Sequence, residues 1–176
     1  MKANVKTILA EIQNRQLTTF CSLKDFRDKR PLILPRNHRG LYWIWSNLTF
    51  DNLQKIPTKP DTKEVPISKL VSQRRDLANI NKISHNGFTI VYNGIGGYEK
   101  TPASFGLRER ILQEITSTNK HTGTLNLSNR RGFNIENWAV SYFVFDDSGN
   151  LKYPDDAKDL EMNWRVEYGI PILTRH

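Results

Sequence analysis

The sequence has very little cysteine and no long apolar run, and each deficit excludes a class of protein. A single cysteine, Cys21, excludes an intramolecular disulfide framework and a zinc site built from several cysteines. No apolar stretch reaches the roughly 20 residues of a transmembrane helix. Charges interrupt the apolar positions of Met1–Leu17, which argues against a signal peptide. We expect a soluble, cytoplasmic protein without a membrane partner.

Acidic residues are also scarce relative to basic ones. The chain has 18 Asp and Glu against 26 Lys and Arg, a formal net charge of +8. Such an excess attracts polyanions, of which nucleic acid is the commonest inside a cell. The basic residues cluster in short groups, at Arg27–Arg30, Arg36–Arg39, Arg74–Arg75 and Arg130–Arg131. Solvated surface explains any single group equally well, but the set favours a nucleic-acid partner.

Three apolar segments have the character of core strands. Gly40–Trp45 is a continuous apolar and aromatic run, which is typical of a strand covered on both faces. In Phe88–Tyr92 large apolar residues alternate with others, and Trp138–Phe145 is apolar except for Ser141. We expect these three segments to form the central sheet.

Helical periodicity appears in several segments between and around these strands. Apolar residues recur at helical spacing near the N-terminus, within residues 68–80, in Leu107–Ile115 and in Ala157–Tyr168. From the first predicted strand onward, the core order is strand, strand, helix, strand, helix, which predicts an α+β fold.

The chain reads as one domain, residues 1–176, with two embellishments. Residues 1–39 form an N-terminal helix followed by a basic arm, in which Pro31 and Pro35 favour an extended conformation. Residues 47–86 form a long insertion between the first two strands, bearing one basic helix. No repeat, low-complexity tract or linker indicates a second domain.

Glycines follow the second predicted strand closely. The segment Gly94–Gly97 predicts an open loop that lets a polyanionic backbone approach and whose amides bind phosphate. Lys100, just beyond, is placed to reach phosphate or the attacking water. The alternative is a tight turn with an exposed lysine.

Several of these segments together resemble the GIY-YIG nuclease superfamily, most closely its small type II restriction endonucleases. The matching stretches are Gly40-Leu41-Tyr42, Tyr92-Asn93-Gly94, Leu107–Ile111, Leu160–Trp164 and Tyr168–Pro171. The resemblance spans residues 40–171 with gaps. It implies a core with a three-stranded, mainly antiparallel sheet flanked by helices.

The resemblance also implies roles for individual side chains. Tyr42 is the leading candidate for the base, or for orienting the attacking water, and Tyr92 is a phosphate ligand or the alternative base. Arg110, rather than Arg108, contacts phosphate oxygens. Glu161 holds one divalent ion, Mg²⁺, for which Mn²⁺ is a substitute.

Each of these assignments has a plainer alternative. Both tyrosines fit a structural role in aromatic strands, and a phenol with a pKa of about 10 acts as a base at neutral pH only if nearby cations favour the phenolate. Arg110 and Glu114 fit a surface ion pair at helical spacing. Glu161 fits a solvated helix position, with Glu167 as its rival for the metal.

The chain departs from the family pattern at several positions. The two tyrosines are separated by the long insertion instead of a short hairpin. Glu114 stands where histidine is frequent, and Thr174 stands where asparagine often follows the proline. His121 either replaces the missing histidine or is an ordinary loop residue. These departures affect the expected proton pathway more than the expected fold.

The expected substrate is double-stranded DNA, cut in a sequence-specific manner by a possible homodimer. Candidate DNA contacts are Arg36, Arg39, Lys69, Gln73, Arg74, Arg75, Arg108, His121, Arg130 and Arg131. Two other functions remain open: a homing or mobile-element nuclease, and a non-cleaving nucleic-acid-binding module. A binding module needs the positive charge but has no use for the Glu161 carboxylate.

Overall fold

The structure of the protein is a computed structural model that describes residues 5–34, 36, 38–58, 63–97, 106–116, 123–145 and 154–175. Within these ranges, the side chains of residues 30–33 and 154–156 are not described. Two of the predicted functional residues, Lys100 and His121, lie outside the described residues.

Helices and strands alternate irregularly along the chain. The first part contains α1 (Val5–Thr18), β1 (Cys21–Ser22), α2 (Leu23–Ile33), β2 (Gly40–Ser46), α3 (Phe50–Gln54) and α4 (Ile67–Arg74). The second part contains β3 (Ser84–His85), β4 (Phe88–Gly96), α5 (Leu107–Ile115), β5 (Trp138–Val144) and α6 (Pro154–Tyr168). None of the described helices combines the length and the apolar character that are required to cross a bilayer.

The strands form one antiparallel sheet in the order β1-β5-β2-β4-β3. Its three long strands, β5, β2 and β4, are the three that the sequence predicted, and the α+β class is confirmed. The sheet is wider than the predicted three strands because two short strands, each of two residues, pair at its edges. Such short pieces carry no sequence pattern of their own.

Helices cover both faces of the sheet, which explains the uninterrupted apolar run of β2. Tyr42 and Ile44 of β2 belong to the cluster that includes residues of α2, α3, α4 and α5. The intervening Leu41, Trp43 and Trp45 pack with residues of α1 and α6. Every residue of β2 is therefore buried, and polar alternation along the strand is absent.

The predicted extended arm before β2 is helical instead. Helix α2 continues through Pro31 and ends two residues later, at Ile33. A proline lacks the N–H that a helix interior uses, so it is disruptive in mid-helix. Pro31 lies in the last turn of α2. The missing backbone hydrogen bond therefore affects only the end of the helix, which stops two residues later.

In its described part, residues 47–58 and 63–86, the predicted insertion holds two helices and an edge strand where one basic helix was expected. Arg75, just after α4, donates to Asp51 of α3 at 2.7 Å, which ties the two helices together. Beyond α4, Asn81 N donates to Ile170 O at 2.9 Å. The insertion is thereby anchored to the segment that follows α6.

The predicted glycine loop is mostly strand. Strand β4 continues to Gly96, and Gly94 and Gly96 pair with Tyr42 and Gly40 of β2. A Cβ atom on Gly94 would lie 2.4 Å from Tyr42 Oη, and one on Gly96 would lie 2.3 Å from the Cα of Leu107. The glycines are thus required by the close packing of β2 and α5 against β4, which corrects the prediction of an open phosphate-binding loop.

Candidate functional site

Side chains from four elements meet in one cleft at the outer edge of β4. Tyr42 of β2, Tyr92 of β4, Arg110 of α5 and Glu161 of α6 all line it, and its volume is about 590 Å³. The C-terminal segment closes one side, since Leu173 N donates to Val91 O of β4 at 2.8 Å. Four of the five predicted catalytic residues therefore converge, and the fifth, Lys100, is outside the described residues.

A register shift in β4 brings its tyrosine to the face that carries Tyr42. Ile44 of β2 pairs with Tyr92, but the next residue, Trp45, pairs with Ile90, so Val91 is an extra residue in β4. Strict alternation would put Ile90 and Tyr92 on the same face. The bulge separates them: Ile90 packs with α1 and α6, and Tyr92 lies with Tyr42 on the α5 side.

Tyr42 is held by a buried carboxylate. Its hydroxyl donates to Glu114 Oε1 at 2.7 Å, and the backbone N–H of Leu125 donates to Glu114 Oε2 at 2.7 Å. Both side chains are 0 % exposed. Burial raises the pKa of Glu114, although Arg110 and these two hydrogen bonds act in the opposite direction. Burial also raises the pKa of Tyr42 well above its ordinary value, and the charge of Glu114 adds to the effect.

Tyr92 lies beside Tyr42 but nearer to the opening of the cleft. The two ring centroids are 6.3 Å apart, and Tyr92 keeps 8 % of its surface exposed. Its pKa is raised chiefly by burial and secondarily by Glu114, while Arg110 and Arg165 lower it by less. The protein's own groups therefore favour the neutral phenol at both tyrosines, which is the reverse of what a tyrosine base requires.

Arg110 projects from α5 toward the two tyrosines. Its Nη1 donates to Gln113 Oε1 at 2.7 Å, and its Nη2 lies 3.8 Å from Glu114 Oε1. Since Glu114 is fully buried, this contact is not the surface ion pair that the sequence left open. The Arg110 side chain retains 27 % exposure, and its guanidinium has five N–H donors, so it can also bind a ligand in the cleft.

Glu161 is bound by protein donors at the opposite wall. Arg165 Nη2 lies 2.7 Å from Glu161 Oε1, and Asn93 Nδ2 donates to the same oxygen at 3.3 Å. Burial raises the pKa of Glu161, against the influence of Arg165 and Arg110. Its rival, Glu167, is exposed and does not line this cleft.

The side chains of the cleft could supply a metal ion with only one or two protein ligands. Within the described ranges, no group of three or more His, Cys, Asp or Glu side chains could hold a metal ion. A zinc site or a calcium cage needs such a group. A carboxylate at the wall of an open cleft suits Mg²⁺, which retains several waters and takes one or two protein ligands. Glu161 meets that requirement.

Asn93 connects the walls of the cleft and was not singled out from the sequence. Its Oδ1 accepts from Arg165 Nε at 3.1 Å and from Thr174 Oγ1 at 3.0 Å. Arg74 of α4 in turn donates to the backbone carbonyl of Thr174. Asn93 therefore joins β4, α6 and the C-terminal segment into one hydrogen-bonded wall.

Arg165 and Glu114 were likewise not predicted as site residues. Arg165 stands four residues after Glu161, the spacing of a helical ion pair, so the pattern was available in the sequence. Glu114 was noted only as a departure from a family pattern. Its burial depends on the packing of α5 against β2 and could not be read from local sequence.

The predicted DNA-contacting residues divide by exposure. Arg36, Lys69, Gln73, Arg75 and Arg131 are exposed. Arg39 is partly buried and donates to Gly97 O at 3.0 Å. The exposed members are accessible to solvent on several different elements.

Other members of the predicted set are buried or partly buried and contact groups of the protein itself. Arg130 donates to the carbonyls of Leu125, Pro57 and Val65 and pairs with Glu64 at 3.4 Å. Arg108 is buried and lies 3.2 Å from Glu109. Little of either side chain is exposed to solvent, and their predicted contacts with DNA stay predictions. Arg74 is partly buried and donates to the backbone carbonyls of Ile172 and Thr174 in the C-terminal segment; its predicted contact with DNA stays a prediction.

Comparison with known proteins supplies no family for the chain. No protein-family model matches it, and no curated protein matches it either. The chemistry of the cleft therefore has to be inferred from the side chains that line it and from their contacts.

Proposed function

We propose that the chain is a metal-dependent endonuclease that hydrolyses phosphodiester bonds of double-stranded DNA at a specific sequence, in the manner of a small type II restriction enzyme with a GIY-YIG core. The observation that supports this function best is the cleft shared by Tyr42, Tyr92, Arg110 and Glu161. These residues come from four elements that are distant in sequence, and each has the chemistry that phosphodiester hydrolysis needs. A homodimer would match the two-fold symmetry of a near-palindromic site and could cut both of its strands.

Each side chain of the cleft has a distinct part in the proposed reaction. Water forms a bond to phosphorus as the bond to the leaving oxygen breaks, and a proton of that water passes through solvent to the leaving oxygen. The reaction increases the negative charge on the phosphoryl oxygens. The forked guanidinium of Arg110 binds two of those oxygens. A neutral phenol in the same cleft can donate a hydrogen bond, and low polarity strengthens that contact; the hydroxyl of Tyr42 already donates to Glu114.

The proposed cation site is at the α6 wall of the cleft, across from Arg110 on α5. Glu161 would hold a Mg²⁺ ion, with water completing its coordination. When bound, the ion supplies charge neutralisation at the phosphate and the leaving oxygen. Asn93 and Arg165 orient the carboxylate through the contacts at 3.3 Å and 2.7 Å.

A second function has one observation in its favour. The ion pair between Arg165 and Glu161 satisfies the carboxylate with a protein cation, as expected in a binding module that retains the fold but does not cut. In that case Glu161 is structural, and the exposed basic residues alone determine affinity for DNA.

Cleavage of DNA by the purified protein decides between the two functions. We expect long, unmodified DNA of known sequence to be cut into discrete fragments with Mg²⁺ or Mn²⁺ and to stay intact with a chelator. Sequencing of the fragment ends should reveal one short shared motif. Intact DNA on several substrates, combined with a salt-sensitive mobility shift, would establish the binding module instead.

Lys69 on α4 is expected to contact a DNA phosphate. It is exposed, and α4 is fixed beside the cleft through the bond from Arg74 to the Thr174 carbonyl. We expect Lys69→Ala to weaken binding a few-fold on every sequence and to reduce the slope of log affinity against log salt by about 1.

The matched control for this substitution is Lys24→Ala. Lys24 lies on α2, which packs against β1 and β5 at the edge of the sheet opposite to β4. Its removal should leave the salt slope unchanged in a fluorescence anisotropy titration. If log affinity falls with log salt equally steeply for both variants, α4 is not part of the DNA-binding surface.

A further inference from the structure

The geometry points to a division of labour between the two tyrosines: Tyr92 donates a hydrogen bond to the scissile phosphate, whereas Tyr42 does not touch DNA and is a positioning residue. Together with Glu114, Tyr42 fixes the guanidinium of Arg110. This inference rests on the proposed nuclease function and reverses the order that the family resemblance implies for the two phenols.

Tyr42 is unsuited to contact a substrate. It borders the cleft but is 0 % exposed. Its hydroxyl hydrogen is already donated to Glu114 at 2.7 Å. Gly94 of the neighbouring strand packs directly over its hydroxyl, where even one methyl group would overlap. A ligand would have to break a buried hydrogen bond to a carboxylate to use the hydroxyl hydrogen of Tyr42.

Tyr42 and Glu114 form a rigid support for Arg110. Glu114 is held from three sides, by Tyr42, by the Leu125 N–H and by Arg110. A buried carboxylate with these partners cannot rotate without leaving one of them unsatisfied. The position of its Oε1 therefore restrains the guanidinium 3.8 Å away.

Tyr92 has the complementary properties. It keeps part of its surface exposed, it lines the cleft, and charged groups of both walls act on its phenol, namely Glu114 and Arg110 on one side and Glu161 and Arg165 on the other. Its raised pKa keeps the phenol protonated across the working pH range, so it can donate to a phosphate oxygen.

Single-turnover cleavage by Tyr92→Phe and Tyr42→Phe tests the division directly. Removing one donor from a developing oxyanion costs about 10²–10³-fold in rate, so we expect Tyr92→Phe to be at least 10²-fold slower than the wild type. Tyr42→Phe should lose less than about 10-fold and keep the wild-type pH profile, but its unfolding midpoint should fall. A loss in Tyr42→Phe as large as that in Tyr92→Phe, with the fold intact, would overturn the inference.

Double variants separate positioning from simple structural support. If Glu114 acts through Arg110, Glu114→Gln should lower kcat without changing KM in the wild type and should have no further effect in an Arg110→Lys background. In a Tyr92→Phe background its effect should persist in full. If the losses of kcat from Glu114→Gln and Arg110→Lys multiply in the double variant, Glu114 does not position the guanidinium.

The outcomes distinguish this inference from the function on which it rests. A wild-type protein that cleaves no DNA with any divalent ion refutes the nuclease and the inference together. A wild-type protein that cleaves, with Tyr92→Phe at the wild-type rate, refutes the inference alone. That second result decides the matter even if Tyr42→Phe fails to fold.

Discussion

Glu161→Gln is expected to abolish cleavage while leaving DNA binding within a few-fold of the wild type. The carboxylate is the proposed cation ligand, and a bound metal contributes several kcal/mol of charge stabilisation in the transition state. Since each 1.4 kcal/mol or so is a factor of ten in rate, the loss should reach at least about 10³-fold. Single-turnover cleavage and an anisotropy titration in Ca²⁺ measure the two quantities separately.

Stability has to be measured on the same variant, because Glu161 also has a structural partner. Glutamine keeps the oxygen that accepts from Asn93, but it leaves the nearly buried Arg165 without its carboxylate. Breaking a buried ion pair costs about 3–5 kcal/mol when nothing replaces it. We expect less here, because the amide oxygen of glutamine still accepts a hydrogen bond from the guanidinium.

Glu167→Gln is the matched control on the same helix. It removes the same charge from an exposed position that does not line the cleft. Cleavage should remain at the wild-type rate. If Glu161→Gln loses DNA binding together with cleavage while Glu167→Gln loses neither, Glu161 is a structural residue and the second candidate function is favoured.

The sequence predicts the framework of the cleft well, because that framework depends on local patterns. The apolar run of β2 and the helical stripe Leu107, Ile111 and Ile115 lie where the structure has a strand and a helix. The positions of Tyr42 in β2 and of Arg110 in α5 could therefore be predicted from local sequence. Their side chains meet because α5 packs on the face of β2 that carries Tyr42.

The position of Tyr92 could not be predicted from alternation. Phe88, Ile90 and Tyr92 alternate in the sequence, which places all three on one face of a regular strand. The bulge at Val91 reverses the facing of every residue after it. A bulge has no reliable sequence signal, so the convergence of the two tyrosines is a property of the folded sheet.

The polar wall of the cleft is equally dependent on tertiary structure. Asn93 faces α6 only because the bulge has already turned Tyr92 toward α5. Its contacts to Arg165 and Thr174 bridge 72 and 81 positions of sequence. No local pattern encodes contacts at such separations, whereas the spacing between Glu161 and Arg165 does indicate an ion pair.

Gly94→Ala is expected to have a large effect on stability for a change of one methyl group. Its Cβ would lie 2.4 Å from Tyr42 Oη, and the phenol cannot retreat because its hydroxyl is bonded to Glu114 in the core. Forced overpacking costs about 1–3 kcal/mol, and we expect the upper end of that range in urea denaturation. The shift also moves Tyr42 or the strand carrying Tyr92, so the cleavage rate should fall by about 10²-fold.

Gly123→Ala provides a control that lines the same cleft. A Cβ there would meet nothing closer than 3.5 Å, at the Arg175 guanidinium, so its stability should stay within about 0.5 kcal/mol of the wild type. If glycines at the cleft serve the approach of DNA, both variants should weaken binding at unchanged stability. If Gly94 serves the packing of Tyr42, only Gly94→Ala should be destabilised, and its DNA affinity should survive at temperatures where it remains folded. The second pattern follows from a glycine that lies inside a strand and directly against a buried phenol.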